Sequence, residues 1–170
     1  MGKSRVPCAV ECDVNVLVEE VVNRLKKVEF KPKHIDPILQ LRSDLPQIMA
    51  EPEPLRQVFA NILINAADAI GDKGSITIST EAKEGMVLVT IADTGKGIPP
   101  ENMQRIFNPF FTTKGGGKGT GLGLSIAASI VKYLGGTIKV NSIPGTGSSF
   151  TVLLPINEQA KKTIKQHDKQ

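Results

Sequence analysis

Tryptophan is absent, and one tyrosine and six phenylalanines hold the aromatic content of the 170 residues to 4%. Recognition of single-stranded nucleic acid by base stacking needs aromatic platforms, so that class of function has little support. Cysteine is almost as scarce: Cys8 and Cys12 stand alone, and the chain has two histidines. Such a set builds neither a zinc site nor a disulfide framework, and reads as reduced cytosolic thiols. No apolar run reaches the ~20 residues of a membrane span, and the N-terminus lacks a signal-peptide core. The expectation is a soluble cytoplasmic chain without direct membrane contact, whatever anchors a longer parent. Excess charge is also slight. The formal +4 comes largely from the tail Lys161–Gln170, a solvated end rather than a nucleic-acid surface. With 40% apolar and 22% charged residues, the composition is that of one globular domain able to bury a core.

Glycine, by contrast, is concentrated. Eight of the 16 glycines lie between positions 95 and 123, in Asp93-Thr94-Gly95-Lys96-Gly97-Ile98-Pro99 and in Lys114-Gly115-Gly116-Gly117-Lys118-Gly119-Thr120-Gly121-Leu122-Gly123-Leu124. Glycine is costly to order, so this density implies a tether or a backbone that approaches a phosphate chain. An apolar helical pattern resumes at Leu122, Leu124, Ile126, Ala127, Ile130 and Val131, which puts the glycines at a helix N-terminus. Unpaired N–H groups and the positive dipole end there favour an anion. The run is read as a nucleotide site. It is not a Rossmann fingerprint, because a third glycine is missing and Pro99-Pro100 stands where that helix would run. Nor is it a Walker loop, since Gly119 follows Gly117-Lys118 in place of Ser or Thr.

Along the chain, residues 1–12 read as the edge of a fragment and 13–156 as one domain, with a polar basic tail at 157–170. Val14 to Val28 carries a helical apolar stripe capped by Asp13 or Asn15. Short strands are expected at Ile35–Leu41, with Pro37 marking an edge, and at Gln47–Ala50. Pro52 and Pro54 open a long helix that ends near Gly71. Gly74–Ala82 and Met86–Ala92 read as a hairpin across Lys83-Glu84-Gly85. A helix from about Thr120 to Leu134 stops at Gly135-Gly136, and strands at Thr137–Asn141 and Ser148–Leu154 flank the turn Ile143–Gly147. This order predicts a two-layer α/β sandwich. Its sheet is mixed, mostly antiparallel and of about five strands, covered on one face by about three helices.

The long helix has an unusual polar face. At 100° per residue, Gln57, Asn61, Asn65, Asp68 and Asp72 fall within about 40° of one line. Val58, Phe59, Ile62, Leu63, Ala66 and Ile70 form the opposite core stripe. A solvent face would normally carry Lys and Glu, and asparagine is a poor helix former. A row of amide and carboxylate oxygens suits Mg²⁺, which takes few protein ligands and completes its octahedron with water and phosphate oxygens. Asp93 ends an apolar strand before Gly95-x-Gly97, where a carboxylate can accept a hydrogen bond from an amino-purine. An ordinary strand-exit turn would look the same.

Taken together and in order, these segments resemble the catalytic ATP-binding domain of sensor histidine kinases, in the superfamily shared with gyrase, heat-shock chaperone and mismatch-repair ATPases. The resemblance covers about residues 13–156. Leu55–Ala69 is similar to the family's asparagine box and Asp93–Ile98 to its first glycine box. Ile106–Lys114 is similar to its phenylalanine box and Gly119–Leu124 to its second glycine box, with Gly145-x-Gly147-Ser148 as a closing motif. The resemblance implies a Bergerat-type fold, with ATP and Mg²⁺ as cofactors. It implies that Asn65 ligates Mg²⁺, that Asn61 sits by the metal or γ-phosphate, and that Asp93 binds the adenine amine. Gly97 would then let the ring in, and Ser148 would support Asp93 through water or a hydroxyl contact. Residues 107–119 would be a mobile lid latched by Phe110 and Phe111. Gly119, Gly121 and Gly123 would cradle phosphates within reach of Lys114 or Lys118, with Asn61 and Lys114 assisting the chemistry. Gly95, Ile98, Phe107, Thr112, Thr113, Thr120, Leu122 and Leu124 complete the nucleotide-contacting set implied by the boxes, beside Asp68 of the polar stripe.

Hydrolysing members of the superfamily carry a glutamate where this chain has Asn61. Water needs such a general base, whereas a neutral histidine brings its own nucleophilic lone pair. Asn61 therefore favours phosphoryl transfer to a side chain. The implied partners are a dimerisation domain bearing the phospho-accepting histidine, missing before residue 13, and a downstream response regulator. The fragment alone is expected to be a monomer and the parent a homodimer. His34 and His167 lack the acceptor's helical, acidic context and read as exposed residues. Two alternatives share the fold: a protein-serine kinase of the anti-sigma or mitochondrial dehydrogenase-kinase type, and a non-catalytic ATP-sensing module.

Overall fold

The computed structural model describes residues 9–113 and 120–156. Three helices lie on one face of a five-stranded mixed sheet, the two-layer α/β sandwich expected from the sequence. The helices are α1 (Val14–Leu25), α2 (Pro52–Ile70) and α3 (Gly123–Tyr133). The strands are β1 (Val10–Cys12), β2 (Ile35–Gln40), β3 (Ile48–Ala50), β4 (Gly74–Lys83), β5 (Met86–Asp93), β6 (Thr137–Ile143) and β7 (Gly147–Pro155). Sheet order is β2-β4-β5-β7-β6, with β2 parallel to β4 and every other pairing antiparallel. Pro37 sits on edge strand β2, where its missing N–H interrupts no ladder.

Alternation fixes which face of the sheet is covered. Ile76 and Ile78 of β4, Val87, Val89 and Ile91 of β5, and Phe150, Val152 and Leu154 of β7 are all at most 1% exposed. Against them packs α2, whose Leu55, Val58, Phe59, Ile62, Leu63 and Ala67 are fully buried. Asp13 caps α1, its Oδ1 accepting the Val16 N–H at 3.4 Å, and α1 buries Val14, Leu17, Val18, Val21, Val22 and Leu25 against the same core.

Three differences from the sequence reading have simple causes. The α-helical part of α1 ends at Leu25, and a wider turn over Lys26–Phe30 buries Phe30. β3 does not join the main sheet but pairs with β1, a strand absent from the sequence reading. The burial of β1 runs exposed, exposed, buried over its three residues, too short to show alternation. Finally, α3 starts at Gly123 rather than Thr120, and a 3₁₀ turn, Pro100–Asn102, is the one helical piece among the described residues between β5 and α3.

Candidate nucleotide-binding site

The covered face of the sheet changes chemistry at one end. Along β5 the inward series Val87, Val89, Ile91 continues to Asp93, and along β7 the series Leu154, Val152, Phe150 continues to Ser148. Register sets Asp93 opposite Ser148, and Ser148 opposite Ser142 of β6. The strand period thus delivers a polar row where the apolar core stops. There a cavity of about 510 Å³ opens, lined on one side by Asn61, Ile64, Asn65, Asp68 and Ala69 of α2.

Asp93 is only 6% exposed. Its Oδ1 accepts the Gly95 N–H at 2.9 Å and the Ser148 N–H at 3.3 Å. Its Oδ2 is buried with no hydrogen-bond partner among the described residues. Burial pushes the carboxyl above its ordinary range, and the two N–H bonds offset only part of that. A buried acceptor without a donor is costly, so this oxygen marks a place for one. The expected support from Ser148 comes through its backbone N–H, while its hydroxyl lies 2.9 Å from Ser142 Oγ.

The loop after Asp93 is held tightly. Lys96 donates its N–H to the Ala69 carbonyl at 3.0 Å, and Gly145 donates to the Lys96 carbonyl at 2.7 Å. A Cβ on Gly95 would lie 2.6 Å from the Ala69 backbone, and one on Gly97, at φ +73°, would lie 2.4 Å from the Ile143 carbonyl oxygen. The missing side chain of Gly97 therefore makes room for the β6–β7 turn. Gly97 and Ile98 still line the cavity through the rest of their atoms, whereas Gly95 does not line it.

On α2, Asn61 donates one Nδ2–H to the Gly123 carbonyl at 3.0 Å, which leaves its amide oxygen and its second N–H for a ligand. Asp68 accepts at Oδ1 from Lys33 Nζ at 3.0 Å, and Lys33 also reaches Glu29 at 2.9 Å. Burial alone would lower the Lys33 pKa; the bonds to Glu29 and Asp68 outweigh it and hold the ammonium above its usual value. The stripe's two outer members leave the site. Gln57 is exposed and does not line the cavity. Asp72 lies past the helix end at Gly71 and meets His34 Nδ1 at 2.8 Å on the surface.

The far wall comes from the start of α3. Thr120, Gly121, Gly123 and Leu124 line the cavity, and Leu122 at the N-cap makes no side-chain cap, leaving the helix's first N–H groups for a ligand. Leu122 itself does not line it. A Cβ on Gly121, at φ +68°, would meet the Phe110 backbone at 2.4 Å, and Phe110 donates its N–H to the Gly121 carbonyl at 2.8 Å. Of the phenylalanines, Phe107 packs edge-on against Phe150 with ring centroids 6.5 Å apart, outside the cavity lining. Phe110 is 74% exposed. Phe111 lines the cavity beside Thr112 and Thr113, with the Arg105 guanidinium 5.3 Å from its ring centroid. Lys114, Lys118 and Gly119 lie outside the described residues, as do the rest of the expected lid beyond Thr113 and His167.

Sequence reasoning missed Lys96, Pro99, Asn102, Ile106 and Pro144, which also line the cavity, and Lys33 and Ser142, which stand behind it. Lys96 between Gly95 and Gly97, Pro99 just after them and Ile106 at the head of the phenylalanine box carried a signal; the others did not.

The cavity suits a nucleotide: an orphaned acceptor at the Asp93 end, helix N–H groups at the α3 end, and amide oxygens between them. For Mg²⁺ the donor set fits in part. Among the described residues no cluster of three or more His, Cys, Asp or Glu is placed to hold a metal. Asn61 and Asn65 offer neutral oxygens, enough for an ion that brings water and phosphate ligands with it.

Residues 50–158 match the family described as histidine kinase-, DNA gyrase B-, and HSP90-like ATPase. The sensor histidine kinase ZraS of Klebsiella oxytoca is 48% identical over 116 residues, covering 68% of this chain and 25% of that protein. The nucleotide-free catalytic domain of histidine kinase ThkA superposes with a TM-score of 0.79 at 31% identity, covering 89% of this chain and 98% of that domain. The complex of ThkA with the response regulator TrrA contains a similar chain: TM-score 0.75, 29% identity, 89% of this chain and 42% of that one. This chain spans about a quarter of the length of the curated relatives it matches. Among the described residues no helix is long and apolar enough to cross a membrane. The chain belongs to the histidine kinase-, DNA gyrase B- and HSP90-like ATPase family, as an ATP-binding catalytic domain of the sensor histidine kinase type.

Proposed function

We propose that this domain holds Mg-ATP for transfer of its γ-phosphoryl to a histidine on a dimerisation domain of the same parent kinase, from which a response regulator receives it. The reading places the parent homodimer's catalytic domain in the cytoplasm. The observation that carries it is the buried, partnerless Asp93 Oδ2 at one end of a cavity whose other end is an uncapped helix N-terminus. Asp93 accepts the exocyclic amine of adenine. The first N–H groups of α3 take the phosphate chain, because they are donors without intrahelical partners. Asn65 and Asn61 would hold Mg²⁺ through amide oxygens, and the ion would supply charge neutralisation at the phosphates.

The choice of acceptor follows from Asn61. Its amide is neutral, gives one N–H to Gly123 and cannot take a proton from water at neutral pH. A neutral imidazole needs no such base. In the transfer the β,γ-bridging P–O bond breaks as the P–N bond forms, and ADP leaves. This chain's contribution is positioning and electrostatics.

Calorimetry with ATP and ADP, with and without Mg²⁺, tests binding in the wild type and in Asn65→Ala and Asp93→Ala. Labelling of a separately supplied dimerisation domain tests transfer. An acid-labile phosphoprotein is the expected product; an acid-stable one would assign serine chemistry, and bound ATP without label a sensing role.

A further inference from the structure

Ser142 belongs to none of the recognised motifs and does not line the cavity, yet it is the hydrogen-bonding node beneath it. Its hydroxyl oxygen accepts the Ile98 N–H at 2.7 Å, lies 3.2 Å from the Gly147 carbonyl oxygen, and lies 2.9 Å from Ser148 Oγ. A hydroxyl has one proton and two lone pairs. The Ile98 N–H takes one lone pair. The Gly147 carbonyl can only accept, so the Ser142 proton goes to it. All three contacts are satisfied together only when Ser148 donates its own proton to the remaining lone pair of Ser142. What Ser148 turns toward the cavity is therefore lone pairs alone, one strand from the partnerless Asp93 Oδ2.

We infer that Ser142 is a specificity-determining positioning residue: by fixing the proton of Ser148 it makes the floor of the base pocket acceptor-only, so that the site selects a 6-amino purine over a 6-oxo purine. The inference rests on the nucleotide reading above and adds to it which residue sets the polarity of the pocket floor. A 6-amino group presents two donors to the two acceptors. A 6-oxo group presents an acceptor to both, and a buried acceptor facing acceptors is penalised.

The test is the ratio of ATP to inosine triphosphate affinity, measured by calorimetry on the folded domain, with thermal melting as the control for integrity. Ser142→Ala frees the Ser148 proton to turn into the cavity. The expected result is a fall in the ratio of about five-fold, the size of one neutral hydrogen bond changing sense. Ser142→Thr, which keeps the hydroxyl, is expected to keep the wild-type ratio. In a Ser148→Ala background, Ser142→Ala is expected to leave the ratio where Ser148→Ala alone put it. If Ser142 merely staples the Ile98 loop, both nucleotides weaken by the same factor and the loss persists without the Ser148 hydroxyl; that overturns the inference. Should Ser142→Ala not fold, Ser148→Ala alone decides: an unchanged ratio overturns it equally. Failure of the wild type to bind ATP at all would instead count against the nucleotide reading.

Discussion

Replacing Asp93 with asparagine is expected to move stability and binding in opposite directions. The carboxyl is 6% exposed and pushed above its ordinary range by burial, with Gly95 and Ser148 N–H groups pulling it partly back. In the unfolded chain it titrates near the usual ~3.9. The folded state thus binds the proton more tightly. By linkage, stability falls as pH rises from the unfolded value through the raised folded value, and the full cost of the buried charge is present above both. The Asp93→Asn change removes that charge, while the amide oxygen still accepts from the two N–H groups. The variant is expected to melt higher than the wild type at neutral pH, and the gain to vanish at acid pH, where Asp93 is itself protonated. Nucleotide binding goes the other way. The amide puts a donor where Oδ2 was, against an exocyclic amine. Losing a hydrogen bond to a charged acceptor costs about 1.5–3 kcal/mol, or roughly ten- to 150-fold in affinity. Paired melting curves and calorimetry across pH read both arms. In the wild type, affinity should fall as pH drops through the raised Asp93 pKa, because protonation occupies the accepting oxygen. A variant that loses stability together with affinity, or binds as tightly as the wild type, would refute this account of the orphan oxygen.

Other substitutions separate cavity from core. Asn65→Ala is expected to abolish the Mg²⁺ dependence of ATP affinity while leaving the melting temperature near the wild-type value, read by titrations with and without the ion. Gly121→Ala meets the Phe110 backbone at a position with φ +68°, so it should both weaken ATP binding and lower the melting temperature. Phe150→Ala removes a fully buried ring and the edge-on partner of Phe107, and should cost about 3–5 kcal/mol in urea unfolding. Lys33→Met removes the cation between Glu29 and Asp68. The stabilisation that Lys33 gives is present below the unfolded lysine pKa and lost as pH rises through the higher folded one, so variant and wild type should converge at strongly alkaline pH.

Much of this geometry was legible because periodicity reports burial. The helix at 52–70 divides its faces as its sequence does, so Asn61, Asn65 and Asp68 could be placed together on one wall. Periodicity failed at the ends of that stripe. Asp72 continues the 100° line on paper, but the chain turns at Gly71, φ +75°, and takes it to His34 on the surface. The phenylalanines show the same limit. Three aromatics within five residues look alike in sequence, yet one packs on Phe150, one is 74% exposed and one lines the cavity. Which is which depends on the left-handed backbone at Phe110, φ +68°, set by its contact with Gly121 across the chain. Ser142 carried no signal, since a serine on an edge strand is ordinary; its part in the site exists only through the β6–β7 register.

That register explains why stability and recognition can share one sheet. Each inward series on β5 and β7 is apolar for three residues and polar at the next rung, so a single two-residue period builds both the core and the pocket floor. A one-residue slip of β7 against β5 would carry Phe150, Val152 and Leu154 to the open face and take Ser148 away from Asp93 together with them. Burial of those three side chains, fully covered by the helices, penalises the slip strongly. The core thus fixes the placement of Ser148 without any contact made for that purpose. Substitutions that loosen the core, Phe150→Ala among them, should therefore weaken nucleotide binding although they replace no cavity-lining residue.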